Sequence, residues 1–261
     1  MKIATVQNSP IFGEKEKNIN DLLKMMDSTE AELYILPEMS YSGYQLVSKE
    51  EAAALADKVD SDNIMRFAEW SKAHGSAVIL GFPEAAEDGK IYNSSVFITP
   101  EGNKHIYRKS HLFYKEKIFY APGNTGFFVK EWHGVKIGQA ICFDWYFSES
   151  FRTLALLGAD LIAHCTNIVM PYFQRAAFAR AIENKVYIAT SNRIGTEERD
   201  GEKLVYTGES VIVDPLGNYL VDAPSDKTGV FTAEIDTKLS RNKKLNDFND
   251  VIGDRRTIFY K

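Results

Sequence analysis

Short apolar runs bounded by turn residues recur along the whole chain and alternate with segments of helical spacing. No other feature of the sequence restricts the fold as much. "KIATVQ", "AELYILPE", "SAVILGF", "VKIGQAI", "ADLIAHC" and "VYIATSN" each read as a strand, and most carry too few polar positions to leave one face in water. Between them, "KEKNINDLLKMMDS" sets Ile19, Leu22, Leu23 and Met26 at helical spacing. The helix "DNIMRFAEWSKAHG" can be capped by Asp60 or Ser61 and stops naturally at Gly75. "ESFRTLALLG" is expected to take Ser148 as its cap, and "PYFQRAAFARAIENK" is a further helix. "YNSSVFITP" and "GNKHIYRK", joined by Pro100-Glu101-Gly102, predict an antiparallel hairpin. The end of the chain is strand-rich: "ESVIVDP", a turn at Leu216-Gly217-Asn218, "YLVDA" and "TGVFTAEID".

Strands with both faces covered, mixed with hairpins, imply layers. Two stacked sheets with helices only on the outer faces house roughly ten strands better than one open sheet. The expected fold class is therefore α/β, a four-layer αββα sandwich. A chain of 261 residues without repeat, linker or low-complexity segment suits one domain, 1–261, with residues 240–261 as a C-terminal tail. The net charge of −5 offers no basic excess to neutralise phosphates, which argues against nucleic acid as a partner. No run approaches the roughly 20 apolar residues that cross a bilayer. The start "MKIATVQNSP" reads as a strand rather than a signal peptide, so the expected compartment is the cytoplasm. The two cysteines, Cys142 and Cys165, form no CxxC pair, so neither a disulfide framework nor a structural zinc site is expected. No metal and no cofactor is implied.

Three of the strands end in a reactive side chain: "LYILPE" at Glu38, "KHIYRK" at Lys109 and "KIGQAIC" at Cys142. Singly, each has a plain reading. Glu38 is a loop carboxylate, Lys109 a solvated charge and Cys142 a small core hydrophobe. Ligands in open α/β sheets collect beyond the carboxyl ends of strands, so together the three can meet in one pocket. A thiol with an ordinary pKa near 8.5 needs a base or a cation to act as a nucleophile at neutral pH. A carboxylate can take its proton, and an ammonium with the backbone N–H of Phe143 can hold the oxyanion of a tetrahedral intermediate. The expected chemistry is acyl transfer through a thioester, then attack by water.

"LPE" at 36–38, "YRKSHLF" at 107–113, "YKEKIFYAPG" at 114–123 and "ICFDWYFSES" at 141–150 resemble the nitrilase superfamily of carbon–nitrogen hydrolases, as do "ADLIAHCTN", "ENKVY" and "DPLGN". The resemblance covers nearly the whole chain. It implies the αββα sandwich and a Glu-Lys-Cys triad, with Glu38 as general base, Lys109 as the oxyanion-stabilising cation and Cys142 as nucleophile. Glu116 matches a second glutamate that positions substrate and lysine. Members associate as dimers or larger assemblies, so a homo-oligomer is expected, with the tail "RNKKLNDFNDVIGDRRTIFYK" reaching across a two-fold interface. Phe143-Asp144 after the nucleophile looks like the amidase-type branch, which implies a small aliphatic amide as substrate. The compact length and "HLFYKEKIFYAPG" also resemble small enzymes called nitrilases, so a nitrile is the alternative. A catalytically idle binding or scaffold protein on the same fold is the alternative of another class, and the presence of all three triad residues weighs against it.

Two positions depart from the usual pattern of the family. Ser148 and Cys165 both stand where proline is frequent, and Cys165 is expected close to the pocket wall, where it would offer a second oxidisable thiol. His164 beside it invites a Cys-His reading, but adjacent strand residues point to opposite faces. Candidates to touch substrate are Tyr44 from "SGYQL", or else a buried tyrosine tied to backbone; Asn167 at a strand end, bonding an amide or holding a turn; Trp145, as a wall or as core; and Phe143 through its backbone N–H.

Overall fold

The computed structural model describes residues 1–260 and contains fourteen strands, more than the sequence suggested. One sheet is built from β1 (Lys2–Gln7), β2 (Leu33–Ile35), β3 (Ala77–Ala85), β4 (Ile91–Ile98), β5 (Lys104–Arg108) and β14 (Gly229–Glu234), in the order β14-β1-β2-β3-β4-β5. The other holds β6 (Val129–Trp132), β7 (Val135–Ile141), β8 (Leu161–Thr166), β9 (Tyr187–Asn192), β12 (Val211–Val213) and β13 (Tyr219–Asp222), in the order β13-β12-β9-β8-β7-β6. Each sheet has three parallel strands at its centre, β1-β2-β3 and β7-β8-β9, and antiparallel strands outside them. The hairpin of β10 (Ile194–Arg199) and β11 (Glu202–Thr207) stands apart from both sheets.

Period-two alternation within the apolar runs divides the core into three layers. Ile3, Leu33, Ile35, Ala77, Ile79, Leu161, Ala163 and Ala189 point inward and fill the space between the sheets. The intervening residues of the first sheet, among them Ala4, Tyr34, Val78 and Leu80, meet Ile19, Leu22 and Met26 of α1 (Lys15–Asp27) and Ile64, Phe67 and Trp70 of α3 (Asp62–His74). Ala140, Ile162 and Ile188 of the second sheet meet Phe151 and Leu154 of α5 (Ser148–Leu156) and Phe173, Ala177 and Ala181 of α6 (Phe173–Asn184). The result is the helix–sheet–sheet–helix sandwich that the two-sided strands required. The short α2 (Lys49–Leu55), α4 (Glu116–Phe119) and α7 (Thr237–Arg241) lie in the connections. No helix among the described residues is long and apolar enough to cross a membrane.

Local expectations differ in three places. Ser61 does precede α3 and Gly75 ends it in the left-handed conformation at φ +64, but the Ser61 side chain makes no capping bond. Ser148 is not a cap. A 3-10 turn over Cys142–Tyr146 runs into α5 with Phe147 at the boundary, so Ser148 becomes the first helical residue and its hydroxyl donates to Glu149. Cys165 lies near enough to Glu38 for that charge to act on it, but it is sealed from solvent. As an inward residue of β8 it is wholly buried between the sheets, where burial pushes its thiol pKa up and keeps it protonated.

Candidate active site

Glu38, Lys109 and Cys142 come from β2, β5 and β7, each just past the carboxyl end of its strand. β2 stops at Ile35, but its chain continues beside β3: Leu36 donates to Ile79, Gly81 to Pro37 and Ser40 to Gly81. This irregular extension, with Met39 at φ +48, turns the Glu38 carboxylate inward. On β4, Asn93 serves two neighbours. Its carbonyl accepts from the Lys109 N–H at 2.8 Å, and its side-chain amide donates to Glu38 Oε1 at 2.6 Å. Behind Lys109 the chain passes at Gly123, whose N–H donates to the Lys109 carbonyl. A Cβ there would stand 2.1 Å from the Arg108 carbonyl oxygen, so only glycine fits.

Cys142 opens the turn after β7 with φ +37, a left-handed conformation that costs a non-glycine residue about 1–3 kcal/mol and is held only by its surroundings. Asp144 supplies that hold. Its Oδ2 accepts from the Ile141 N–H at 3.0 Å and from the Tyr107 hydroxyl at 2.7 Å, and its Oδ1 accepts from the N–H and Nδ1 of His111. His164 braces the same turn from β8. Its Nε2 lies 2.9 Å from the Cys142 carbonyl oxygen, which assigns the proton to Nε2, while Nδ1 faces the Thr190 hydroxyl. Burial pushes the His164 pKa down to about 4, so the ring is neutral. It reaches the backbone of Cys142 and packs against Phe151 and Phe173, on the face of β8 opposite Cys165, so the two form no Cys-His pair.

Lys109 lies between two carboxylates. Its Nζ donates to Glu38 Oε1 at 2.7 Å and to Glu116 Oε1 at 2.8 Å, with all three side chains essentially out of water. Burial alone would lower the pKa of this amine, but the charges of Glu116 and Glu38 outweigh it and hold Lys109 protonated. Two acids share one cation, and burial pushes Glu38 up to about 7, against the pull of Lys109 and with the help of Glu116. Glu38 Oε2 is buried and has no hydrogen-bond partner, which leaves one oxygen of this carboxyl open to a proton. Burial and the Glu38 charge push the Cys142 thiol well up, while Lys109 and the Asn167 backbone N–H act the other way. A neutral thiol thus sits beside a carboxylate of near-neutral pKa, an arrangement suited to proton transfer at the moment of attack.

A cleft of about 500 Å³, solvent at its mouth included, meets this group at Glu116, while Glu38, Lys109 and Cys142 lie behind its lining. Its walls include Leu46, Phe113, Phe119, Tyr120 and Leu204, and it reaches Tyr44, Glu116 and Asn167. Tyr44 donates its hydroxyl to Glu116 Oε1 at 2.6 Å. Asn167 is 3% exposed, and neither Oδ1 nor Nδ2 has a partner, so a complete amide is left for a ligand. Of the other two candidates, Trp145 takes the core alternative, and Phe143 keeps the backbone N–H on which its reading rests. The ring of Trp145 packs against Phe173 and Tyr172 in the outer core, and the ring of Phe143 packs against Phe113 and Phe147, leaving only its backbone N–H beside Cys142. Asp144, spent on bracing the turn, does not line the cleft either. Among the described residues no group of three or more His, Cys, Asp or Glu side chains is placed to hold a metal ion.

Sequence reasoning missed Asn93 and the wall formed by the β10–β11 hairpin. The hairpin had a signal, the Asp200-Gly201 dipeptide between two six-residue strands, with both residues at positive φ as a tight hairpin turn demands. For Asn93 the expected β4–β5 hairpin already brought its strand against that of Lys109, but its bond to Glu38, 55 residues away, had no signal.

Residues 2–244 match the family model described as carbon-nitrogen hydrolase. The chain is 43% identical, over its whole length and 99% of the relative, to a protein of Pyrococcus abyssi named nitrilase. It is 33% identical to an (R)-stereoselective amidase of a Pseudomonas species, over 99% of this chain and 92% of that one. In fold it is similar to the carbon-nitrogen hydrolase of Helicobacter pylori, with a TM-score of 0.86 at 23% identity over 100% of this chain and 96% of the other.

Proposed function

The chain belongs to the carbon–nitrogen hydrolase family, and from that premise we propose that it hydrolyses a small aliphatic amide through a thioester on Cys142, releasing ammonia. The observation that carries the reading is the unpartnered Oε2 of Glu38 beside a buried thiol and a lysine clamped by two carboxylates. In this mechanism Glu38 takes the thiol proton as sulfur attacks the carbonyl carbon. Lys109 and the Phe143 N–H hold the oxyanion, a contribution worth about 10²–10³ in rate for each donor in comparable sites. The intermediate collapses as protonated Glu38 returns the proton to the leaving nitrogen, and ammonia departs. A water, deprotonated by Glu38, then attacks the thioester, and the acid leaves with Cys142 restored as a thiol. Glu116 holds Lys109 in place, Asn167 hydrogen-bonds the substrate amide, and the apolar walls receive its aliphatic chain. The exposed apolar side chains of the tail, with Phe248 91% and Ile258 82% accessible, support a homo-oligomer in which the tail is covered by a partner subunit.

A nitrile is the second reading, favoured by the name of the 43% identical relative. Attack on a nitrile gives a thioimidate, which must take up water and a further proton before ammonia leaves, whereas an amide needs only the one proton that Glu38 carries. Comparison of kcat/KM for an aliphatic amide and the nitrile of the same acyl chain tests the choice. The larger value is expected for the amide, and consistently faster turnover of the nitrile across matched pairs would overturn the assignment.

A further inference from the structure

Glu197, on β10, is the acceptor in a buried ion pair with Arg193 Nη1 at 2.5 Å, and both side chains are almost completely out of water. Replacing such a pair by apolar residues is often neutral or stabilising, so its worth lies in what it fixes. Arg193 is spent on the pair, on the Pro10 carbonyl and on the face of Tyr206, 4.0 Å below the guanidinium. Glu197 accepts in addition from the Tyr206 hydroxyl and from two successive backbone N–H groups, those of Tyr44 and Gln45, the latter at 2.6 Å. Those amides belong to a loop with no regular hydrogen-bond ladder. The loop carries Tyr44, whose hydroxyl bonds the same oxygen of Glu116 that accepts from Lys109.

We propose that Glu197, held by Arg193, is a positioning residue for the hydrolysis. It sets the backbone at Tyr44 so that the tyrosine hydroxyl shares Glu116 Oε1 with Lys109. The proposal rests on the roles assigned above to Lys109 and Cys142. With the Tyr44 hydroxyl in place, part of the Glu116 charge is taken up by a second donor, and Lys109 remains available to Glu38 and to the oxyanion. When that donor drifts away, Glu116 draws Lys109 toward itself. Glu38 faces Lys109, Glu116 and the Cys142 thiol, with Tyr44, Tyr120, Tyr206 and Cys165 farther out. A retreat of Lys109 therefore moves the ionisation of both Glu38 and Cys142 to higher pH.

A double-mutant cycle in Glu197→Gln and Tyr44→Phe tests this, read in two ways on the full-length protein. The first readout is the pH dependence of Cys142 alkylation by iodoacetamide, followed by intact mass. It requires no turnover and so stands even if the amide reading fails. Each single variant is expected to move the midpoint of alkylation to higher pH, and the double variant to move it no further than the larger single shift. The second is turnover of propionamide, where kcat is expected to fall by roughly 10- to 100-fold, the scale of a positioning loss, with KM within about threefold. A folded Glu197→Gln protein with the wild-type alkylation profile, or effects that simply add in the double variant, would overturn the proposal. Should Glu197→Gln fail to fold, Tyr206→Phe removes one donor from Glu197 and carries the test. The same upward shift is then expected, smaller, and no shift would overturn the proposal.

Discussion

A methyl group at Gly81 would stand 2.5 Å from the Cα of Glu38 and 2.8 Å from the Pro37 carbonyl oxygen. The central strand β3 thus lies tightly against the backbone that carries Glu38, the proposed base, and its only side-chain-free position is at the contact. The backbone contacted is the strained stretch before Met39, which has little room to give.

Gly81→Ala is therefore expected to act on the base more than on the fold. Overpacking here costs about 1–3 kcal/mol of stability, measurable by denaturant titration. The same shift moves Glu38 away from the thiol and lowers kcat well beyond what that loss of stability explains. A stable Gly81→Ala protein with wild-type kcat would show that the Glu38 backbone is not held from below.

Stability should record the strain on Glu38 in its pH dependence. Its ordinary value of 4.5 rises to about 7 in the fold, because burial disfavours the charged form. The folded state thus binds this proton more tightly than the unfolded one. The contribution is fully present below 4.5 and is lost as pH rises toward 7. In Glu38→Gln the group no longer titrates and Lys109 keeps Glu116 as partner. The Tm of this inactive variant is expected to gain on wild type as pH rises from 5 to 8, followed by calorimetry. A constant difference across that range would contradict the raised pKa.

The tail makes a prediction about assembly. Leu245, Phe248, Ile258, Phe259 and Tyr260 are all exposed, a poor arrangement for a segment surrounded by water. Removal of the residues after Asn246 is expected to shift the mass in light scattering from dimer or larger toward monomer. An unchanged assembly would place the interface elsewhere, and the exposed Leu156 of α5, Leu157 just after it and Phe178 of α6 would be the next surface to examine.

The parts of this molecule that follow a period were legible in the sequence. Two-sided strands forced the stacked sheets, and a reactive side chain at the end of three strands marked Glu38, Lys109 and Cys142, which the fold brings together. Side chains whose work depends on a distant partner were not legible. Trp145, three residues after Cys142, could be read as pocket wall or as core, and only the turn at Cys142 decides between them by sending the indole to the outer core. Asn93, Glu197 and Asp144 look like ordinary polar residues in sequence. Their importance arises from partners 16 to 153 residues away in one case or another, which only the tertiary fold brings near.

The central claim is that Cys142, and not Cys165, carries an acyl group cut from nitrogen. Hydroxylamine intercepts a thioester as a hydroxamate, so the most direct measurement is hydroxamate formed from propionamide by wild type, Cys142→Ala and Cys165→Ala, each shown to be folded by circular dichroism. Wild type and Cys165→Ala are expected to form it at similar rates, since the second thiol is sealed between the sheets, while Cys142→Ala forms none. Hydroxamate from folded Cys142→Ala, or equal loss in both variants, would contradict the account.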